Sequence, residues 1–255
     1  MRQNKNNTGL KGAVTLMRAD AVIFDKDGTL IDFDSVWVPV SVKAMEDVLE
    51  QLGREDIPVD EFLEAYGVHD GVTDITGVLC HGTYAQMGEV AHGILKDHGC
   101  DVACGEIVKL VADAYHSHMD GGKITLTSPD LADVLRELKK RNVKLAVVTN
   151  DNEAVTRKCL SAVGIEDLFD KIYTDDGSMP TKPDPARAYD FCRLTGAEKE
   201  RVFMVGDTLT DMHFAKNAGI MAVGVAKNDR NRQILTPCAD VVIDCAAGIL
   251  ALLEE

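Results

Sequence analysis

From residue 129 to the C-terminus, short apolar runs and amphipathic stretches take turns, and this alternation restricts the fold more than any other feature of the chain. The runs 143–148, 171–174, 202–205, 221–225 and 241–243 are too short for helices and rich in β-branched residues, so they are predicted as buried strands. Between and after them, 131–141, 152–163, 185–194, 210–218 and 246–253 carry helical spacing. Ser128-Pro129-Asp130 predicts an N-cap with proline at the first helical position. One more strand is predicted near the start, at Ala21-Val22-Ile23-Phe24. Strands parted by helices imply right-handed crossovers and a parallel sheet covered on both faces.

The intervening segment has a different character. Val42, Met45, Val48, Leu49 and Leu52 share one helical face, 83–98 and 104–119 repeat the pattern, and Gly53 and Gly99 stand where helices end. Few convincing strands are found there, and Gly121-Gly122 closes the block. The expected architecture is an α/β core with a Rossmann-like parallel sheet, built from 19–34 and 123–255 and interrupted by an α-helical domain at 35–122. A polar flexible tail is expected at 1–18.

Composition narrows the function classes. Lys and Arg number 27 against 42 Asp and Glu, a formal net charge of −15. That balance opposes binding to nucleic acid, whose phosphates need a basic face, and to anionic lipid. No run approaches the ~20 apolar residues that cross a bilayer. Seven scattered cysteines and an N-terminus without an apolar signal core point to the reducing cytoplasm. Nothing in the sequence fixes an oligomeric state.

In an open parallel sheet, ligands bind beyond the carboxyl ends of the strands. The first strand ends in Asp25-Lys26-Asp27-Gly28-Thr29, the strand at 143–148 in Thr149-Asn150-Asp151, and the strand at 202–205 in Gly206-Asp207-Thr208-Leu209-Thr210-Asp211. A loop between the last two carries Thr181-Lys182-Pro183-Asp184-Pro185. Carboxylates converging in one cleft repel unless a cation sits among them, and hard oxygen ligands suit Mg²⁺, which commonly bridges to a phosphate. Thr149, the N–H groups after it and Lys182 would serve the other phosphate oxygens. Such a set suits phosphoryl transfer, and an aspartate can itself attack phosphorus.

These residues resemble the haloacid dehalogenase-like (HAD) hydrolase superfamily, whose four motifs occur in order. Phe24-Asp25-Lys26-Asp27-Gly28-Thr29-Leu30 matches the first, Thr149 the second, Lys182 the third, and the stretch from Gly206 to Asp211 the fourth. The resemblance implies a HAD fold, a Mg²⁺ cofactor and a small-molecule phosphate ester as substrate. It implies Asp25 as nucleophile and Asp27 as general acid and base. Mg²⁺ would be held by the Asp25 carboxylate, the Asp27 carbonyl, Asp207 and Asp211. Phosphate would be bound by Thr149, Asn150 and Lys182, with Lys182 also restraining the carboxylates.

An acid at Asp27 favours phosphoester chemistry, because the dehalogenase and phosphonatase branches lack it. Thr29 resembles the phosphatases, where the sugar phosphomutases usually carry Val. The helical insertion corresponds to the class-one cap of phosphoglycolate phosphatase-like members, which closes over the site and selects the substrate. The chain departs from those relatives just after the first motif, where Asp32 is followed by Phe33 and then Asp34-Ser35. A phosphomutase and a non-catalytic binding protein on the same scaffold are the alternatives. In the insertion, His98, Cys100, Cys104, His116 and His118 lack paired zinc spacing and are expected to be packing or surface residues.

Overall fold

The structure is a computed structural model that describes residues 16–118 and 122–254. The chain enters the central sheet at β1 (Ala21–Phe24) and then leaves it. It runs through α1 (Phe33–Leu52), α2 (Val59–Tyr66), β2 (Val68–His69), β3 (Val72–Thr73), α3 (Val78–His81), α4 (Tyr84–Asp97) and α5 (Cys104–His118). It returns through α6 (Leu131–Lys140), β4 (Lys144–Val148), α7 (Glu153–Ala162), β5 (Lys171–Tyr173), α8 (Ala186–Thr195) and β6 (Val202–Gly206). The last elements are α9 (Leu209–Ala218), β7 (Met221–Val225), α10 (Asp229–Leu235), β8 (Val241–Ile243) and a 3₁₀ helix at Ala246–Leu252.

The six long-range strands form one sheet in the order β5-β4-β1-β6-β7-β8, with every neighbouring pair parallel. From the central β1 the chain builds one wing, β4 and β5, and then crosses back to build β6, β7 and β8. That reversal opens a crevice beyond the carboxyl ends of β1, β4 and β6. Alternation along the strands divides the core. Val22, Phe24, Leu145 and Val147 pack with Leu135, Leu160 and Ile249 on one face. Ala21, Ile23, Ala146 and Val148 pack with Phe191, Met212 and Phe214 on the other.

The helical insert has an apolar cluster of its own, centred on Met45, Phe62, Tyr66, Met87, Ile107 and Tyr115. Its buried hydroxyls are satisfied: Tyr66 donates to the Met87 carbonyl at 3.2 Å and Tyr115 to Ser41 Oγ at 2.8 Å. Pro39 lies inside α1 and cannot donate to the Ser35 carbonyl one turn back. That carbonyl accepts the Lys123 N–H at 3.3 Å, and the Asp32 N–H donates to the Thr125 carbonyl at 2.9 Å. The proline thus frees an acceptor that ties the two connections between insert and core together. A side chain on Gly122 would prevent this approach, since a Cβ there would lie 2.6 Å from the Val36 oxygen.

Three sequence expectations need correction. The insert contains a β-hairpin, with Val68 opposite Thr73 and His69 opposite Val72. Its loop is Asp70-Gly71, both at positive φ (52° and 76°), the conformation that two-residue hairpin turns require. Helix α6 starts at Leu131 after Asp130, and the buried Ser128 hydroxyl has no hydrogen-bond partner among the described residues, so the predicted serine cap does not form. The closing helix is 3₁₀. Of the predicted tail, 1–15 lies outside the described residues; Met17 pairs with Leu253 in a parallel bridge. Residues 119–121, including the first glycine of the predicted break, lie outside them too.

Arg187 fastens the carboxyl ends of β4 and β5. Its guanidinium is buried and donates to the Thr149 and Thr174 carbonyls, both at 2.8 Å, and to the Met179 carbonyl at 3.3 Å. Arg187→Met keeps much of the volume but leaves buried acceptors unsatisfied. It should lower unfolding free energy by about 2–4 kcal/mol in denaturant titration; a change under about 0.5 kcal/mol would show that water replaces the guanidinium.

Candidate active site

The ladder of β1 runs one residue past its end, with the Asp25 N–H donating to the Val205 carbonyl at 2.9 Å. The chain then closes on itself: Leu30 and Ile31 both donate to the Lys26 carbonyl, and Gly28 donates to the Ile31 carbonyl. This compact loop presents Asp25 and Asp27 at the mouth of the crevice. Gly28 sits at φ 74°, and a Cβ there would fall 2.1 Å from Asp207 Oδ2. The approach of the two strand ends therefore needs a glycine on both counts.

Asp25, Asp207 and Asp211 each place a carboxylate oxygen within 4.8 Å of the others, the one such group of potential metal ligands found among the described residues. Lys182 enters this group from the loop before α8, with Nζ 2.7 Å from Asp25 Oδ1 and 2.6 Å from Asp211 Oδ1. Asp211 is fully buried, and its other oxygen accepts the Thr208 N–H at 3.0 Å and the Thr208 hydroxyl at 2.6 Å, in the capping box that starts α9. Asp207 accepts the Thr29 hydroxyl at 2.8 Å.

Electrostatics follow from this crowding. Burial, reinforced by Asp211, pushes the Asp25 carboxyl up to about 7 despite the nearby Lys182 ammonium. Burial and then the charges of Asp25 and Asp211 push Asp207 well above the carboxylate range. Burial works against the charge of Lys182, but Asp211 and Asp25 outweigh it and hold the ammonium above the ordinary lysine value. Two carboxyls that resist ionisation beside a third form a donor set that a hard divalent cation fits, since its charge would offset both the burial and the repulsion that hold their protons on.

Asp27 stands apart from this cluster. Its carboxylate receives Lys26 Nζ at 2.7 Å, and the same ammonium lies 3.1 Å from Asp151 Oδ2. Any share of Asp27 in a metal site would thus fall to its main-chain carbonyl. Thr149 is buried at the end of β4, its Oγ1 accepting the Asp151 N–H at 3.1 Å. Asn150 turns its amide to the Lys182 backbone, accepting the N–H at 2.9 Å and donating to the carbonyl at 3.1 Å. Its side chain thereby fixes the lysine loop rather than facing the crevice.

The insert reaches the same crevice. Lys227, just after β7, pairs with Asp32 at 2.5 Å and Asp34 at 3.2 Å. Asp34 also accepts the Thr73 hydroxyl at 2.6 Å and N–H at 3.0 Å, so the hairpin rests on the linker. Asp74 pairs with Arg230 of α10 at 2.5 Å, and Ile75 joins the sheet-side core with Ile23 and Val148. Cys80 of α3 lies within the field of Asp207, and burial pushes its thiol up to about 12.

Sequence reasoning thus identifies residues that the structure brings together at Asp25, Asp207, Asp211 and Lys182, with Thr149 alongside. It misses Lys26, Asp151, Lys227 and Cys80. Lys26 carried a usable signal: alternation from Val22 through Phe24 directs it to the face of the sheet where Phe24 and Cys159 pack. The others depend on contacts between segments far apart in sequence.

Comparison with known proteins places this geometry. Residues 19–219 match the model of the haloacid dehalogenase-like hydrolases. The chain is 31% identical over 211 residues to a phosphoglycolate phosphatase of Psychrobacter arcticus, covering 82% of this chain and 84% of that protein. It is 30% identical over 231 residues to a phosphoglycolate phosphatase of Pseudomonas putida, covering 90% of this chain and 78% of that one. In fold it matches a HAD-superfamily hydrolase of subfamily IA from Geobacter sulfurreducens at a TM-score of 0.64 and 20% identity, over 92% of this chain and 97% of the other. The acidic crevice therefore sits on a known scaffold, and the chain belongs to the haloacid dehalogenase-like hydrolases.

Proposed function

We propose that this protein is a Mg²⁺-dependent phosphatase of the cytoplasm that hydrolyses a small-molecule phosphomonoester through an aspartyl-phosphate on Asp25. The observation that carries the reading is the separation of the two first-turn carboxylates. Asp25 is buried against Lys182 in the three-acid cluster, whereas Asp27 lies outside it at the rim, its side chain 31% exposed. One environment suits a nucleophile and the other a proton carrier.

In this reading the Lys26 N–H at 2.6 Å and Lys182 Nζ both bind Asp25 at Oδ1, which leaves Oδ2 to attack. The Oδ2–P bond forms as the bond from phosphorus to the alcohol oxygen breaks, and Asp27 gives that oxygen its proton. Asp27 then takes a proton from water, whose oxygen attacks phosphorus; phosphate leaves and the Asp25 carboxylate is restored. Thr149, the N–H groups of its loop and Lys182 bind the phosphate oxygens. Asp25, Asp207, Asp211 and the Asp27 carbonyl would hold the Mg²⁺, which when bound offsets the charge of carboxylates and phosphate. The helical segment 35–122 acts as the cap over the crevice. The names of the relatives make phosphoglycolate the first ester to assay.

Asp25→Asn should abolish phosphate release across a panel of phosphoglycolate, sugar phosphates, nucleotides, pyridoxal phosphate and aryl phosphates, with circular dichroism unchanged. Asp27→Asn should slow release about 10²–10⁴-fold. Full activity in Asp25→Asn, or an isomeric sugar phosphate in place of free phosphate, would overturn the reading.

Metal binding should depend on pH in a defined direction. A carboxyl whose folded value is raised stabilises the metal-free protein while protonated, below its unfolded value of about 4. That contribution is lost as pH rises towards the folded value of about 7 for Asp25. A cation needs the ionised form, so protons compete with it below about pH 7. The rise in Tm on adding Mg²⁺ should be larger at about pH 8 than at about pH 5.5. Equal shifts at both would show that Asp25 is not a ligand, and chelation without loss of activity would exclude the metal.

A further inference from the structure

The buried lysine of the first turn has no task in the chemistry above. Building on the phosphatase reading, we propose that Lys26 is a positioning residue that clamps the Asp27 carboxylate to the loop after β4 and so aims it at the leaving oxygen of the substrate. The side chain of Lys26 is 2% exposed, while those of its partners Asp27 and Asp151 are 31% and 32% exposed. The cation therefore lies beneath two rim carboxylates that come from different strand ends. Its Nζ is 2.7 Å from Asp27 Oδ1 and 3.1 Å from Asp151 Oδ2, one ammonium between two arms of the crevice.

This arrangement is costly unless it does something. A lysine whose ammonium is out of water needs its partners, and an apolar side chain would fill the same space on the side of Phe24 and Cys159 without that cost. What an apolar side chain would not do is restrain Asp27. Without Lys26, the rim carboxylate is free to swing towards the second buried lysine, Lys182, which already holds Asp25 and Asp211. With Lys26, it is kept towards the loop after β4, where the Asp151 N–H binds the Thr149 hydroxyl. Thr149 is the residue proposed to bind phosphate, so an Asp27 held there stands beside the bond to be broken.

Lys26 also answers the charge change of the step. When the ester bond breaks, the proton of Asp27 passes to the alcohol oxygen and leaves a carboxylate behind, which the ammonium already faces. The contribution should therefore scale with how much the leaving group needs a proton. Phenolate departs poorly without one, whereas p-nitrophenolate departs readily, and the two phenyl esters are nearly the same size.

The test measures kcat/KM, which reports the steps through transfer to the enzyme, for phenyl phosphate and p-nitrophenyl phosphate. Lys26→Met should lose at least about tenfold more on phenyl phosphate than on p-nitrophenyl phosphate, the mark of impaired proton donation. Lys26→Arg, which keeps the cation, should recover most of that difference. If Lys26→Met does not fold, Asp151→Asn removes the rim anchor instead and should shift the ratio the same way by a smaller factor. Equal losses on both esters in the folded variant overturn the assignment, because a lysine needed only for folding would not discriminate between leaving groups. Wild-type protein that releases phosphate from no ester overturns the phosphatase reading itself, and this inference with it.

Discussion

The Lys182 ammonium, held between Asp25 and Asp211, is the contact on which the crevice depends. A parallel sheet delivers the ends of β1 and β6 side by side, and here both ends are acidic. Without a cation, three crowded carboxyls, two of them buried, would oppose the packing that brings them together. Lys182 supplies that charge from within the chain. Its loop is in turn fixed by the Asn150 amide, and Asn150 directly follows Thr149 at the end of β4. Three strand ends and one loop are thus locked by a single ion cluster. Removing one partner of such a buried set typically costs about 3–5 kcal/mol, because the remaining charges are left uncompensated.

A second group of charges sets how the insert meets the core. Asp32 and Asp34 would add two more negative charges beside the crevice, and Lys227 and Arg230 offset the acids of the linker and hairpin. These pairs are partly exposed, so each contributes little to stability. The insert has its own apolar cluster and would hold together without them. What anchors it is Ile75 in the sheet-side core and the hydrogen bonds between the two linkers around Pro39.

Most of the sheet could be read from residue patterns, because buried parallel strands are short, apolar and bounded by polar ends. Of the clustered acids, Asp25 and Asp207 could be read for the same reason, each directly following a strand, while Asp211 lies in the first turn of the helix after β6. The hairpin at 68–73 escaped detection although Asp70-Gly71 is a strong turn signal, since two-residue strands show no alternation. The serine cap failed because Ser128 is turned into the interior and α6 starts later. The hold of the Asn150 side-chain amide on a loop 32 residues away also escaped the sequence. Pairings across such distances leave no periodic trace. Lys227 and Asp151 belong to the same class.

Lys26 shows how much one position in a strand can decide. The first turn holds two carboxylates two residues apart, and chemistry that uses both needs them to differ. Each faces its own buried lysine: Asp25 the Lys182 of a distant loop, Asp27 the Lys26 of its own turn. Lys182 brings one further carboxylate with it, Asp211, and burial together with that charge makes ionisation of Asp25 hard. Lys26 brings only Asp151 and the rim, so Asp27 keeps access to solvent and to whatever leaves the crevice. The alternation of β1 places the lysine on one side of the sheet and Asp25 on the other. The alternation that would put both acids on one face ends at Lys26, where the backbone turns back on the Lys26 carbonyl, and that turn parts Asp27 from Asp25.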